Sequence, residues 1–126
     1  MADQSPQPKG KVPPQSLDAE MSLLGAVLID EEVLADASEH VGAEDFYDKR
    51  HAMIFGAMMR LYERHKPVDL LTLTNELQKK DQLAEVGGSA YLTELTNYVP
   101  TAAHASSYAE IVAQKAVRRR LIKASA

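Results

Sequence analysis

Four histidines are the residues whose type could most directly support metal binding or proton transfer. They are His40, His51, His65 and His104. None belongs to an H-E-x-x-H sequence or to another spacing typical of zinc sites, and the chain has no Cys to act as ligand or nucleophile. His51 falls on the apolar face of a predicted helix, where a lone histidine is more often a hydrogen-bonded core residue. The sequence therefore predicts no metal site.

The glycines and acids do not predict a nucleotide site or an active site either. There is no G-x-x-x-x-G-K-[ST] loop and no G-x-G-x-x-G sequence, so Gly87 and Gly88 are interpreted as a helix break that uses positive φ. No nucleophile elbow surrounds any serine. The acids between Val12 and Asp48 are expected to be exposed, which does not favour a general acid. We predict no catalytic residue and no cofactor for this chain.

Charge is distributed unevenly around a net value of −4. Between Val12 and Asp48 there are ten acids and no Lys or Arg. The other end is basic, with Lys115, Arg118, Arg119, Arg120 and Lys123. Both regions are interpreted either as solvated helix faces that aid solubility or, at the basic end, as a contact with another molecule.

The hydrophobic pattern predicts an all-α fold, a compact orthogonal bundle of five to six helices, because apolar residues recur at helical spacing and sustained strand alternation is absent. Ser16, Asp48 and Asp69 are predicted N-caps, and Thr101 is the predicted start of the last helix. The predicted helix ends are Gly42, Pro67, Gly87 with Gly88, and Pro100. The expected core residues are Leu17, Met21, Leu24 and Leu28 on the first helix, Phe55 and Leu61 on the third, and Leu77 on the fourth.

Three regions are expected along the 126 residues. Residues 1–15 are Pro-rich and are predicted to form a disordered arm, 16–103 a helical globular domain, and 104–126 a further helix. No apolar run approaches the roughly 20 residues of a membrane span, and no secretory signal is recognised, so no membrane association is expected. The lack of Cys suits a cytoplasmic protein.

Several segments, in this order and spacing, resemble the N-terminal domain of bacterial replicative DNA helicases of the DnaB family. In the first half they are PPQSLDAE (13–20), LLG (23–25), EDFY (44–47), and His51 followed by IF (54–55). In the second half they are KPVDL (66–70), VGG (86–88), YL (91–92), VPTAA (99–103), YA (108–109), IV (111–112) and KAVRRRLI (115–122). Each segment alone is weak evidence of the resemblance. Together the segments cover nearly all of the chain that is predicted to be ordered.

The resemblance implies a non-catalytic collar or scaffold domain of a hexameric helicase. In this family the domain is a helical globule followed by a helical hairpin, so the bundle should be followed by the start of a hairpin, with 104–126 as its first helix. The implied partners are other helicase subunits, primase and, as a further candidate, a helicase loader. ATP and Mg are expected only in a separate C-terminal domain, which would also make most of the DNA contacts.

The resemblance and the apolar pattern together select candidate protein-binding residues. They are Tyr91, Ile111, Arg118, Arg119, Leu121 and Ile122. Tyr91 and Ile122 are chosen as apolar anchors for primase, since a tyrosine can bury its ring while its hydroxyl stays in water. The alternatives are a small nucleic-acid-binding module that uses Lys115 and the three consecutive arginines, and a stand-alone enzyme.

Overall fold

The structure is a computed structural model that describes residues 12–125, and every regular element within this range is helical. The elements in chain order are α1 (Leu17–Ile29), α2 (Val33–Ala37), a 3₁₀ helix (Ala43–Asp45), α3 (Lys49–Glu63), α4 (Leu70–Lys79), α5 (Gly88–Thr96) and α6 (Ala105–Ser125). The all-α prediction is confirmed. Most of the predicted disordered arm, residues 1–11, lies outside the described residues. None of the described helices is both long and apolar enough to traverse a bilayer.

Three predicted N-caps are confirmed by their hydrogen bonds. The side chain of Ser16 accepts from the backbone N–H of Ala19 at the start of α1, at 3.1 Å. Asp48 and Asp69 accept in the same way at the starts of α3 and α4. Each cap satisfies one of the backbone donors that a helix leaves unpaired in its first turn. The capping bonds join residues two or three positions apart, so a short stretch of sequence is enough to predict where these helices start.

The end of α3 differs from the prediction. Pro67 was expected to stop this helix, which instead ends at Glu63. His65 adopts a positive φ of 59°, and the N–H of Lys66 donates to the carbonyl of Leu61 at 2.9 Å. A left-handed residue that closes the last turn in this way ends a helix as effectively as a proline.

Other predicted boundaries are also wrong, and among them is Pro100, since α5 already ends at Thr96. The last helix begins at Ala105, because the Thr101 hydroxyl accepts from the N–H of Ala103 and stabilises a turn before the helix. Gly42 does not close α2, which already ends at Ala37. The predicted positive φ of Gly87 and Gly88 is confirmed, and Gly87 is the N-cap of α5, but α4 already ends at Lys79.

Helix α1 lies at the centre of the bundle and packs against α2, α3, α5 and α6. Leu24 is buried as predicted, but Leu17 is exposed at the start of the helix. Leu23 and Val27, which were not expected in the core, have no exposed surface. A helix with neighbours on several sides buries residues around most of its circumference. The prediction assumed that only one stripe of apolar residues on α1 would be buried, and it was therefore too narrow.

The contact between α1 and α5 depends on the absence of a side chain at Gly25. A Cβ atom built there would lie 2.3 Å from the carbonyl oxygen of Leu95. Backbone atoms at this distance cannot move aside as a flexible side chain can. Gly25 therefore sets the close approach of α1 and α5.

Candidate interaction surface

A chain of buried polar groups joins three helices. His51 on α3 lies between Glu20 on α1 and Tyr91 on α5. Its Nδ1 is 2.7 Å from Glu20 Oε1, and its Nε2 is 2.6 Å from the Tyr91 hydroxyl. The predicted hydrogen-bonded core role of His51 is confirmed. Because all three side chains are buried, this arrangement has no reacting atom that a substrate could reach.

Glu20 corrects the expectation that the acids between Val12 and Asp48 are all exposed. Its carboxylate also accepts from the backbone N–H groups of Tyr47, at 2.6 Å, and Asp48, at 3.3 Å. Asp45 in the same acidic stretch is buried too. Buried carboxylates need such partners because an unpaired buried charge is very costly. Glu20 thereby fixes the loop that leads into α3 against α1.

Tyr91 lies in the core rather than on the surface. Only 9% of the residue is exposed, and its hydroxyl is engaged by His51 instead of water. Burial raises the pKa of its phenol, and the guanidinium of Arg50 lies 4.3 Å from its ring centroid. The wet hydroxyl expected of a surface anchor is therefore absent.

A third buried acid, Glu76 on α4, connects α4 to α3. Its carboxylate accepts from Arg64 Nη2 and from Arg60 Nε, each at 2.8 Å. The hydrogen bonds from Arg64 and Arg60 lower the pKa of Glu76 to about 2 from the usual 4.5. The cluster stabilises the fold and is separate from the buried His51 group.

Glu76 should make the stability of the domain depend on acidity. A carboxyl whose pKa is lowered by folding stabilises the native state above its unfolded pKa, and this contribution is lost as the pH falls from about 4.5 to about 2. The loss should be roughly 2 kcal/mol, a value reduced from the full shift because the two arginines are partly in water. Urea melts of the parent and Glu76→Gln between pH 7 and pH 2 measure it. Equal pH dependence in both proteins would contradict the assignment.

The first half of α6 belongs to the globule. Ala105, Ala109, Val112 and Ala116 recur at helical spacing and are buried against the bundle, where α6 packs mainly on α1. Small residues at three of these positions allow the two helices to approach closely. This half of α6 therefore has no surface left for a partner on that side.

Two consecutive arginines then fix the direction of the second half of α6. Arg119 donates to the carbonyl oxygens of Pro14, at 2.8 Å, and Asp45, at 2.6 Å. Arg120 forms an ion pair with the Asp45 carboxylate at 2.8 Å. Sequence reasoning missed these contacts, because the partners lie more than 70 residues away along the chain and no local pattern connects them. Arg119 was expected to contact a partner, yet it contacts its own globule.

The exposed aliphatic residues of α6 lie on two different sides of the helix. On one side Leu121, 63% exposed, joins what we call the outer seam. The outer seam consists of Ala113, Gln114, Val117, Arg118 and Leu121. On the other side Ile122, 57% exposed, lines what we call the proline groove, with a volume of about 450 Å³. The proline groove consists of Pro13, Pro14, Glu44, Ala116, Arg119, Arg120, Ile122 and Lys123. Leu121 and Ile122 were expected on one seam, and the structure separates them.

The remaining candidates lie close to these surfaces. Ile111 is exposed on α6, one turn before the outer seam. Arg118 lies in the outer seam, and none of the described residues forms an ion pair with it. Among residues 12–125 no group of three or more His, Asp or Glu side chains is arranged to hold a metal ion. The second half of α6 is therefore the candidate interaction surface.

Comparisons with known proteins agree on one family. Residues 12–114 match the DnaB-like helicase N terminal domain. The replicative DNA helicase DnaB of Geobacillus stearothermophilus is 51% identical over 113 residues, which is 90% of this chain and 25% of that protein. The Leifsonia xyli DnaB is 44% identical over 122 residues, 97% of this chain and 26% of that protein.

A solved structure agrees with these sequence matches. The crystal structure of the N-terminal domain of DnaB helicase from Mycobacterium tuberculosis superimposes with a TM-score of 0.88 at 43% identity. The match covers 90% of this chain and 79% of that chain. The chain spans about a quarter of the length of the two helicases above. With its helical fold, its sequence and its matched range in agreement, the chain belongs to the DnaB-like helicase N-terminal domain family.

Proposed function

We propose that this chain is a non-catalytic scaffold domain that helps to assemble the subunits of a replicative DNA helicase and to dock primase. One observation carries the proposal. Helix α6 is buried along one face of its first half, is held in direction by Arg119 and Arg120, and presents Val117 and Leu121 to solvent further along. Exposed adjacent aliphatic groups on a rigidly held helix are typical of surfaces that another helix covers.

Subunit assembly is assigned to the outer seam. Val117 and Leu121 supply apolar area, and Ile111 extends it towards the start of the helix. Arg118 lies within the same surface and can set the orientation of a partner through its charge. The hairpin expected from the family would begin with α6.

Primase docking is assigned to the proline groove on the other side of α6. Ile122 is its exposed aliphatic residue, and Pro13 and Pro14 supply rigid apolar walls. Tyr91 is not part of this proposal, because its ring and hydroxyl are used inside the globule. A loader is a further candidate partner for the same groove.

The activity of the whole helicase is proposed from the family alone. ATP and Mg would be bound by a separate C-terminal domain, and most DNA contacts would be made there. The cytoplasm, where bacterial DNA is replicated, is the proposed compartment. This chain would supply assembly and docking to such a protein.

A nucleic-acid-binding role is less well supported. Arg119 and Arg120, two of the basic residues that it would use, are engaged by Pro14 and Asp45. Among residues 12–125, exposed acids outnumber the exposed cations that remain. A titration with duplex DNA at increasing salt distinguishes the roles, since phosphate binding would weaken steeply with salt. Submicromolar binding with that salt dependence would favour the nucleic-acid role.

Replacement of Leu121 by Asp should weaken self-association of the chain at least tenfold. The change places a charge in the centre of the outer seam, where it would have to be desolvated on contact. Sedimentation equilibrium over a range of concentrations measures the change. Leu71→Asp is the matched control, because Leu71 is 79% exposed on α4 and outside the outer seam. Equal association of parent and Leu121→Asp would overturn the assembly role.

Ile122→Asp should instead weaken binding of a cognate primase C-terminal domain. The two substitutions are one residue apart, about 100° around the axis of α6, and lie in different surfaces, so each serves as the control for the other. Calorimetric titration of the primase domain into both variants separates the surfaces. If Ile122→Asp binds primase as the parent does while remaining folded, the docking role of the proline groove is wrong.

A further inference from the structure

The proline groove lies between two walls whose separation depends on the direction of α6. One wall is the second half of α6, and the other is formed by residues 13–14 and by Glu44 of the 3₁₀ helix. Between residues 117 and 125 no residue of α6 is buried. Apolar packing therefore does little to position this part of the helix, and its direction depends on the two arginines that contact Pro14 and Asp45.

Most contacts of these arginines end on a short stretch of chain, residues 45–48, which we call the junction segment. Arg119 donates to the carbonyl oxygen of Asp45 at 2.6 Å, and Arg120 pairs with the carboxylate of the same residue at 2.8 Å. The guanidinium of Arg119 also lies 5.6 Å from the ring centroid of Tyr47, within the range of a cation–π contact. The position of the junction segment therefore decides where α6 is held.

Glu20 holds the junction segment from inside the globule. Its Oε2 accepts from the N–H of Tyr47 at 2.6 Å, and its Oε1 accepts from the N–H of Asp48 at 3.3 Å. Oε1 also lies 2.7 Å from His51 Nδ1, so both oxygens of this buried carboxylate have partners. If either backbone N–H turned away, a hydrogen bond to a buried acceptor would be lost, which is costly. Glu20 therefore fixes the backbone in the middle of the junction segment.

The junction segment also has anchors that do not involve Glu20. Phe46 is buried, and its ring centroid lies 5.0 Å from that of Phe55. Asp48 caps α3 by accepting from the N–H of Arg50 at 2.8 Å. These contacts keep the segment attached to the globule when Glu20 is changed. Loss of the Glu20 carboxylate should therefore alter the segment locally and not detach it.

We propose that Glu20 is a positioning residue for the proline groove. Tyr47 is the link, because Glu20 binds its backbone N–H and Arg119 faces its ring. Without the carboxylate, the Tyr47 peptide rotates towards another acceptor, and the ring and the nearby Asp45 carbonyl move away from Arg119. The second half of α6 then loses its fixed direction, and the two walls of the groove no longer have one fixed separation.

Glu20→Gln tests whether the carboxylate sets the direction of α6. The substitution keeps the volume of the side chain, but its amide offers one acceptor oxygen where the carboxylate offers two. The chain has no Cys, so Leu71→Cys and Leu121→Cys, at exposed positions outside the proline groove, allow a pair of spin labels to be attached. Double electron–electron resonance, with labelled chain diluted into unlabelled chain, should give one narrow distance distribution in the parent. The distribution should be broader or displaced in Glu20→Gln, and an unchanged one would overturn the inference.

Two further variants separate positioning from a general loss of stability. Glu76→Gln is the matched control, because it changes another buried acid, whose bonds to Arg60 and Arg64 lie outside the junction segment. It should leave the distance distribution as in the parent, and an equal change in Glu76→Gln and Glu20→Gln would contradict a positioning role. Tyr47→Ala interrupts the same link at an exposed side chain, so it keeps the buried groups intact. It should broaden the distribution as well, and an unchanged one would exclude the link through Tyr47.

Binding of a cognate primase C-terminal domain should be at least tenfold weaker for Glu20→Gln in calorimetric titration, which corresponds to about 1.4 kcal/mol. This expectation rests on the docking role proposed for the proline groove, and Ile122→Asp separates the two. If Ile122→Asp weakens binding while Glu20→Gln changes neither distance nor affinity, the docking role stands and the positioning role is wrong. If Glu20→Gln alters the distance but neither variant weakens binding, Glu20 sets the direction of α6 and the groove does not dock primase.

Discussion

Replacing Phe55 by Ala is expected to lower the free energy of unfolding by about 3–5 kcal/mol, the range for large-to-small substitutions in a well-packed core. Phe55 has no exposed surface, and its ring centroid lies 5.0 Å from that of Phe46. The substitution therefore leaves a cavity and also removes an aromatic contact that joins α3 to the loop before it. Since small domains have only about 5–15 kcal/mol of stability, the variant should be close to unfolding at 37 °C.

Urea melts at 25 °C measure this loss. Leu71→Ala is the control, since that side chain is largely exposed and its truncation should change stability by no more than about 0.5 kcal/mol. A loss below about 1 kcal/mol for Phe55→Ala would contradict the assignment of Phe55 to the centre of the core.

Removal of the His51 side chain should have an effect of similar size. His51→Ala takes away the partner of the Glu20 carboxylate and of the Tyr91 hydroxyl while both stay buried. A buried polar group left without its partner typically costs about 1–3 kcal/mol, and more when it is charged, so the two groups together should cost roughly 3–5 kcal/mol. The loss is to be measured by urea melts at pH 7.

A series of smaller changes locates the origin of that loss. Tyr91→Phe removes only the hydroxyl at His51 Nε2 and should cost about 1–3 kcal/mol, the range for one unsatisfied buried polar group. His40→Ala, at an exposed histidine, should be neutral within about 0.5 kcal/mol. If His51→Ala were as stable as His40→Ala, the three buried groups would not stabilise the fold.

The parts of the fold that could be predicted from sequence depend on residues close together in the chain. Ser16, Asp48 and Asp69 cap helices through bonds to residues two or three positions away. The positive φ of Gly87 and Gly88 is one that the residue type permits without strain. Such features can be predicted from a short stretch of sequence. The expectation of a helical globule followed by a hairpin came instead from the resemblance to a family.

The parts that could not be predicted depend on contacts between distant residues. Glu20 is 31 residues from His51, and Arg119 is 105 residues from Pro14, so no spacing rule connects them. Long-range contacts of this kind bury Glu20 and Asp45, whereas the local charge pattern predicted that both would be exposed. Only the folded structure shows which acids have distant polar partners, because composition does not distinguish buried acids from exposed ones.

The candidate site was predicted only in part. The exposure of Leu121 and Ile122 could be predicted, because both are apolar residues on a part of the last helix that was expected to extend beyond the core of the globule. Their separation onto two sides could not be predicted, because it depends on how Arg119 and Arg120 hold α6 against Pro14 and Asp45. The direction of the helix is set by tertiary contacts, and that direction decides which surface each side chain joins.

The most direct test of the proposed role is a dilution series of amide ¹H–¹⁵N spectra of the parent chain, which reports contacts residue by residue. If the second half of α6 is an assembly surface, the signals of Val117, Arg118 and Leu121 should shift with concentration, while those of the buried residues Leu24 and Phe55 should not. Spectra that are unchanged over the range in which the chain associates, or shifts that avoid α6, would contradict the account.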